Sequence, residues 1–309
     1  MLVPSANSRI YRWLRRGLGV VVAAGVILAL LRLLRHWDGS EVHVRLLPLA
    51  LSVAVLLVAN VVQALGWKFL LERMAGSTVA LRPLLSVFMS GQLARYLPGK
   101  VGLPMVRIAG AAKLGVSARL IAASVGIEVA AWIGVGTLVG CTALLCNLSL
   151  VSPIPGLDRN WLWLCSILIL LGLLAALLLD RNRFPAWMLR VLRAEGQGPF
   201  VSLLMISMQL LAWLGWWVLG LLILIALGSS IHVAITQAGI FILAPILGFL
   251  AMVAPGGLGV RETAISYALA PHVGASAALS AALLARAAAI ASELLGWLIA
   301  VTWERRDGA

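Results

Sequence analysis

Acidic residues are scarce in this chain: 309 residues hold 11 Asp and Glu against 24 Lys and Arg. Acid–base or metal-assisted chemistry in a wet site draws on carboxylates, and the stretches between apolar runs on the outward side offer only Asp38, Glu41 and Asp158. That argues against a glycosyltransferase or a lipid-modifying transferase, and the chain reads as a non-enzyme. Cysteine is scarce too. Cys141, Cys146 and Cys165 have no metal-ligand spacing and fall inside apolar helical sequence, where they read as buried thiols. The four histidines, His36, His43, His232 and His272, match no metal motif and read as surface groups. No metal or cofactor is expected. There is no nucleotide-binding motif either, so any work the protein does draws on an ion or lipid gradient.

What is present is apolar sequence. The chain is 62% hydrophobic and only 11% charged, with a mean hydropathy of +1.04, a balance that excludes a soluble domain and defines a polytopic α-helical membrane protein. Runs near the roughly 20 residues that span hydrocarbon occupy Gly17–Leu34, Leu46–Leu65, Leu120–Cys146, Trp161–Leu179, Val201–Leu227 and Ser276–Val301. Two further runs, Leu81–Gly115 and Val233–Ala270, are interrupted near their middles. The fold expected is therefore a single transmembrane domain over residues 1–309, with about six full spans and two re-entrant hairpins, 81–115 and 233–270.

The interruptions share a pattern. Pro98-Gly99-Lys100-Val101-Gly102 occurs in the first run, and Pro255-Gly256-Gly257-Leu258-Gly259 in the second, followed at once by Arg261-Glu262. Proline and glycine break a helix, and a broken backbone is tolerated at membrane depth where it lines a cavity or packs within protein. The Pro-Gly pairs begin at positions 98 and 255, 157 residues apart, about half the chain. Two such breaks in corresponding places are the sequence mark of a transporter site built from inverted repeats.

Net charge is +13, mostly beside helix ends, where anionic lipid rather than nucleic acid accounts for it. Arg9, Arg12, Arg15 and Arg16 precede the first run, which reads as an uncleaved span with its N-terminus in the cytoplasm. Lys68, Arg73 and Arg82, then Lys113 and Arg119, then Arg181, Arg183, Arg190 and Arg193, and finally Arg305 and Arg306 follow on the same side if each hairpin returns to the face it entered. Arg32, Arg35 and Arg45 fall on the outer face, against the trend. This arrangement puts both termini in the cytoplasm, makes the two hairpins enter from opposite faces, and fits a multi-pass protein of the cytoplasmic membrane. Trp13, Trp37, Trp67, Trp161, Trp187 and Trp303 sit near the ends of runs, as interfacial anchors do. Trp132, Trp213, Trp216, Trp217 and Trp297 fall deeper and read as packing bulk.

Ionisable groups at membrane depth are costly and mark function. Arg95, Lys100 and Arg107 flank or sit in the first break, Arg261 and Glu262 open the helix after the second, and Arg286 and Glu293 share one face of the last span. With Glu128 the intramembrane tally is five cations to three carboxylates. Helices restarting after each break aim the positive ends of their dipoles at it. Excess cations, helix N-termini and glycines that admit a ligand to the backbone suit an anionic group such as phosphate. The binding set expected is Arg95, Pro98, Gly99, Lys100, Gly102, Arg107, Pro255, Gly256, Gly257, Gly259, Arg261, Glu262 and Arg286, with Glu128, Glu262 and Glu293 as proton carriers. The competing reading pairs the charges to fix the hairpins, Arg261 with Glu293 or Arg286 with Glu262.

Gly91-Gln92-Leu93-Ala94-Arg95-Tyr96-Leu97-Pro98-Gly99-Lys100-Val101-Gly102 and Ala254-Pro255-Gly256-Gly257-Leu258-Gly259-Val260-Arg261-Glu262 resemble the two signature regions of the lysylphosphatidylglycerol synthase transmembrane-region family. The resemblance covers nearly the whole chain. It implies a flippase-like membrane fold, carried on Arg95, Pro98, Gly99, Gly102, Pro255, Gly256, Gly259, Arg261 and Glu262. Fused members of that family add a soluble domain that transfers lysine to lipid, and this sequence stops at Ala309, so aminoacyl transfer is not implied. The substrate class implied is a phospholipid, a polyprenyl phosphate or a hopanoid-related lipid. A lipid or glycan biosynthesis enzyme is the alternative partner, bound without catalysis by this chain.

Overall fold

A computed structural model describes residues 44–96, 101–146, 159–178, 203–251, 257 and 259–305. The predicted span Gly17–Leu34, the arginines before it, His36, His43, the basic segment Asp180–Pro199 and the hairpin tips with Pro98, Gly99, Lys100, Pro255 and Gly256 lie outside those residues.

Helix α1, Leu46–Ala75, is 30 residues long, ten more than its apolar run, because Lys68 and Glu72 continue the helix as a pair 2.5 Å apart. Its end is a glycine C-cap, Gly76 at φ 68°, and Glu72 turns back to accept from the Val79 N–H at 2.8 Å. The first hairpin follows. Helix α2 (Leu81–Ala94), helix α3 (Gly102–Ala109) and the single turn α4 (Ala111–Leu114) stop at Gly115, φ 65°. At 1.5 Å per residue the 14-residue α2 is about 21 Å long, short of the roughly 30 Å hydrocarbon thickness. These lengths are compatible with the re-entrant expectation for 81–115, whose tip lies outside the described residues. Helix α5, Ala118–Cys146, and helix α6, Arg159–Leu178, then pack side by side.

The second half repeats this plan. Helix α7 (Leu203–Ala226) is followed by α8 (Ile231–Gln237), α9 (Ile240–Leu250), α10 (Val260–Val273) and α11 (Ala275–Arg305). Leu46 and Leu203, Leu81 and Ile240, Gly102 and Val260, Ala118 and Ala275 open matching helices, 157, 159, 158 and 157 residues apart. The second hairpin differs from the expectation on its incoming side. Helices α8 and α9 run nearly end to end, and Ile231–Leu250 is 20 residues long and apolar enough to cross a membrane, so five such spans are found among the described residues.

The contacts show how the halves are related. Matching helices α1 and α7 pack along their lengths and run antiparallel: the Arg45 N–H, just before α1, donates to the carbonyl of Ala226, the last residue of α7, at 2.8 Å, and Gly66 lies against Met208. An internal repeat whose equivalent helices run in opposite directions is an inverted repeat. The hairpins are exchanged between halves. Helix α2 packs against α11, with Met89 on Gly296 and Arg82 over the Trp303 ring at 4.9 Å, and α9 packs against α5, with Leu243 on Gly140.

Small residues make these approaches possible. A β-carbon at Gly136 would fall inside the Trp213 indole, whose N–H donates to the Trp132 carbonyl at 3.0 Å. Gly257, at φ 72°, presses on the Gly248 backbone, where a β-carbon would come within 2.7 Å. Trp67 corrects its sequence assignment as an interfacial anchor. It is fully buried, stacks near Phe88 and donates to Ser124 at 3.1 Å, because α1 continues past it for two more turns. Only Cys141 of the three thiols is buried; Cys146 and Cys165 are exposed on their helices.

Candidate functional site

Each returning helix is tied to the long helix of its own half by a buried ion pair. In the first half Arg107 of α3 pairs with Glu128 of α5, and the guanidinium carbon stands 4.6 Å from the Trp67 ring and 4.3 Å from Phe88. In the second half Glu262 of α10 faces Arg286 of α11 at 3.5 Å. Moved by the repeat of 157, Arg107 and Glu128 would fall at positions 264 and 285, within two residues of Glu262 and Arg286. The same clamp is thus built twice with the charges reversed. Glu262 also caps its own helix, its Oε2 accepting from the Gly259 N–H at 2.8 Å, which fixes Gly259 at φ 85°.

A third pair joins the halves. Arg95, just after α2, pairs with Glu293 of α11 and donates to Gln92 at 3.3 Å, and Gln92 in turn donates to Gln63 of α1 at 3.2 Å. One of the two anticipated alternatives, Arg286 with Glu262, is therefore present. Glu293 is taken by Arg95 rather than Arg261.

That leaves Arg261. Its side chain is buried, Nε and Nη2 have no hydrogen-bond partner, and no carboxylate pairs with it among the described residues. The guanidinium lies over the Trp216 ring at 4.5 Å. It opens onto a cavity of about 300 Å³ walled by both hairpins and by α5. Arg95 and Tyr96 contribute from the first break, Pro245, Gly248 and Phe249 from α9, Trp132 from α5 and Trp216 from α7, and among the described residues no lining side chain is acidic. Tyr96 stands between guanidiniums: the Arg286 and Arg95 guanidinium carbons lie 5.1 and 5.6 Å from its ring centroid, and its hydroxyl has no hydrogen-bond partner.

Of the expected binding residues, Arg95 and Arg261 face this cavity. Gly257 and Gly259 shape the second break beside it, Gly102 opens α3, and Arg286 and Glu262 stand one contact back through Tyr96 and the α10 cap. Arg107 and Glu128 are enclosed together away from the cavity wall. Pro98, Gly99, Lys100, Pro255 and Gly256 belong to the tips outside the described residues. Sequence reasoning passed over Tyr96, Trp132, Trp216 and Phe249 as site residues. Tyr96 had a usable signal, a hydroxyl beside an intramembrane break, whereas the other three are indistinguishable from packing residues without the fold. Among the described residues no group of His, Cys, Asp and Glu converges to hold a metal ion.

The fold and site define a multi-pass membrane protein of two inverted repeats with crossed hairpins and a buried cationic cavity between them. Residues 17–295 match the family described as the lysylphosphatidylglycerol synthase TM region. The chain belongs to that family. Among curated proteins none matches it.

Proposed function

We propose that this protein moves an anionic, phosphate-bearing lipid between the leaflets of the cytoplasmic membrane and is not an enzyme. The observation that carries the reading is Arg261. Three carboxylates compensate Arg95, Arg107 and Arg286, and among the described residues the Arg261 guanidinium at the apolar cavity has no carboxylate partner. A buried unpaired cation costs several kcal/mol, about 3–5 when its partner is removed, and persists where a ligand supplies the missing anion. Guanidinium forks match phosphate oxygens in bidentate geometry. Arg261 takes the phosphate, Arg95 approaches it from the opposite hairpin, and the aromatic wall excludes water. The tails stay in the bilayer.

Crossed hairpins support the transport step. Each is held by its own half's ion pair yet rests on the other half's long helix, so rocking one repeat against the other shifts the cavity between two faces about a fixed headgroup. The absence of acidic side chains from the cavity wall, among the described residues, supports translocation over hydrolysis or transfer.

The test is translocation of labelled lipid in liposomes holding the purified protein, with phosphatidylglycerol, undecaprenyl phosphate and the zwitterionic phosphatidylcholine as the panel. Anionic lipids are expected to cross and phosphatidylcholine is not. Equal rates for all three would remove the role assigned to Arg261.

A further inference from the structure

Glu293 differs from the other two intramembrane carboxylates in where its partner stands. Glu128 is sealed with Arg107 behind Trp67 and Phe88. Glu262 is committed to its own helix, its Oε2 accepting from the Gly259 N–H, while its Oε1 faces Arg286 at 3.5 Å without a hydrogen bond. Glu293 instead pairs with Arg95, a cavity-lining cation whose side chain is 24% exposed, while the carboxylate itself is 2% exposed and its Oε2 has no hydrogen-bond partner.

The geometry points to Glu293 as a proton-binding counter-ion, so that an anionic lipid headgroup and a proton enter the site together. The inference rests on the translocator reading above. A proton passes from water to the free Oε2 of Glu293, the ion pair with Arg95 opens, and Arg95 turns to the phosphate beside Arg261. Departure of the phosphate on the other face reverses both steps, and the proton leaves with it. With Glu293 ionised, the two cavity guanidiniums carry one compensating charge; with Glu293 protonated they carry none. Gln92, tied to Gln63, keeps a hydrogen bond to Arg95 throughout and holds it at the cavity edge.

The surroundings are compatible with this role. From α10 the titratable groups are Arg261 and Glu262 at its opening turn, with Tyr267 and His272 further along. From α2 and its end come Arg82, Arg95 and Tyr96; α1 carries Lys68, Glu72 and Arg73 in its last turns, and α7 carries none. On α11 itself Arg286 lies two turns before Glu293, and Glu304 and Arg305 end the helix. Of these, Arg95 alone is an ion-pair partner of Glu293.

The experiment is binding of fluorescent phosphatidylglycerol to the full-length protein in nanodiscs between about pH 5 and pH 8, for wild type and Glu293→Gln, with proton uptake followed by a pH dye. One-proton linkage sets the expected result: wild-type affinity falls by up to about tenfold per pH unit as Glu293 ionises, and about one proton is taken up per lipid. Glu293→Gln binds as the wild type does at low pH, with no slope. A flat wild-type series with lipid bound, or a variant with the wild-type slope, overturns the role of Glu293 and leaves the translocator standing. The wild-type series and proton count decide the matter even where the variant fails to fold. Failure of the wild type to bind the lipid at any pH overturns the translocator reading, and this inference with it.

Discussion

Removing the charge of Glu128 should show how the returning helix of the first half is held. In Glu128→Gln the Arg107 guanidinium, 1% exposed, loses its ion-pair partner and stays enclosed by α1, α2 and α5. Breaking a buried pair from one side costs about 3–5 kcal/mol, and insertion scales put a lone charge at a helix centre at about 2.5–3.5 kcal/mol. Trp67 and Phe88 already cover the guanidinium, and cation–π contacts of this kind are worth about 0.5–2 kcal/mol, so they soften the loss without cancelling it. The net expectation is about 2–4 kcal/mol, which at 1.4 kcal/mol per decade is a 30- to 700-fold shift, roughly, in the folding equilibrium. Unfolding in mixed micelles of detergent and SDS, followed by tryptophan fluorescence, reads this directly. The double variant Arg107→Leu with Glu128→Leu should recover most of the loss, since it leaves no buried charge. A Glu128→Gln protein that unfolds at the wild-type SDS fraction would refute the clamp, as would a double variant less stable than the single one.

Gly136→Val should destabilise by about 1–3 kcal/mol through overpacking and shift the tryptophan emission, because the Trp132 and Trp213 rings, 4.7 Å apart, must separate. Unchanged melting and emission would contradict the packing described at α5 and α7. Trp216→Leu should slow lipid translocation about 3- to 30-fold, the loss of a cation–π contact of about 0.5–2 kcal/mol under Arg261, with the fold intact by circular dichroism. Cys146 should react with a membrane-impermeant maleimide added from outside whole cells while Cys141 stays unlabelled, since the former is exposed at the end of α5 and the latter is buried; labelling only after lysis would invert the proposed topology.

The architecture was legible because membranes restrict it so tightly. Long apolar runs had to be helices, and the 157-residue spacing of the paired breaks matches the offset of 157 to 159 residues between equivalent helix starts. Less could be read where charge extends a helix. Lys68 and Glu72 sit four apart and pair, so α1 outlasts its apolar run and buries Trp67. The pairing of the charges was legible only in part. Glu262 and Arg286 belong to consecutive helices and can be matched by proximity, whereas Arg95 and Glu293, 198 residues apart, meet only because the hairpins cross between halves. That same crossing is what leaves Arg261 without a carboxylate, and no spacing in the sequence foretells it. The aromatic wall of the cavity was hidden for a different reason: in apolar sequence a tryptophan facing a cavity and one facing a neighbour look alike.

The most direct test of the account compares wild type with Arg261→Ala for translocation of labelled phosphatidylglycerol and undecaprenyl phosphate in liposomes, with thermal melting of both proteins measured alongside. The account predicts transport of an anionic lipid by the wild type, background rates for the variant, and a variant that melts no lower, since a buried unpaired charge has been removed. Full transport by Arg261→Ala, or a wild type no faster than protein-free liposomes, would contradict it.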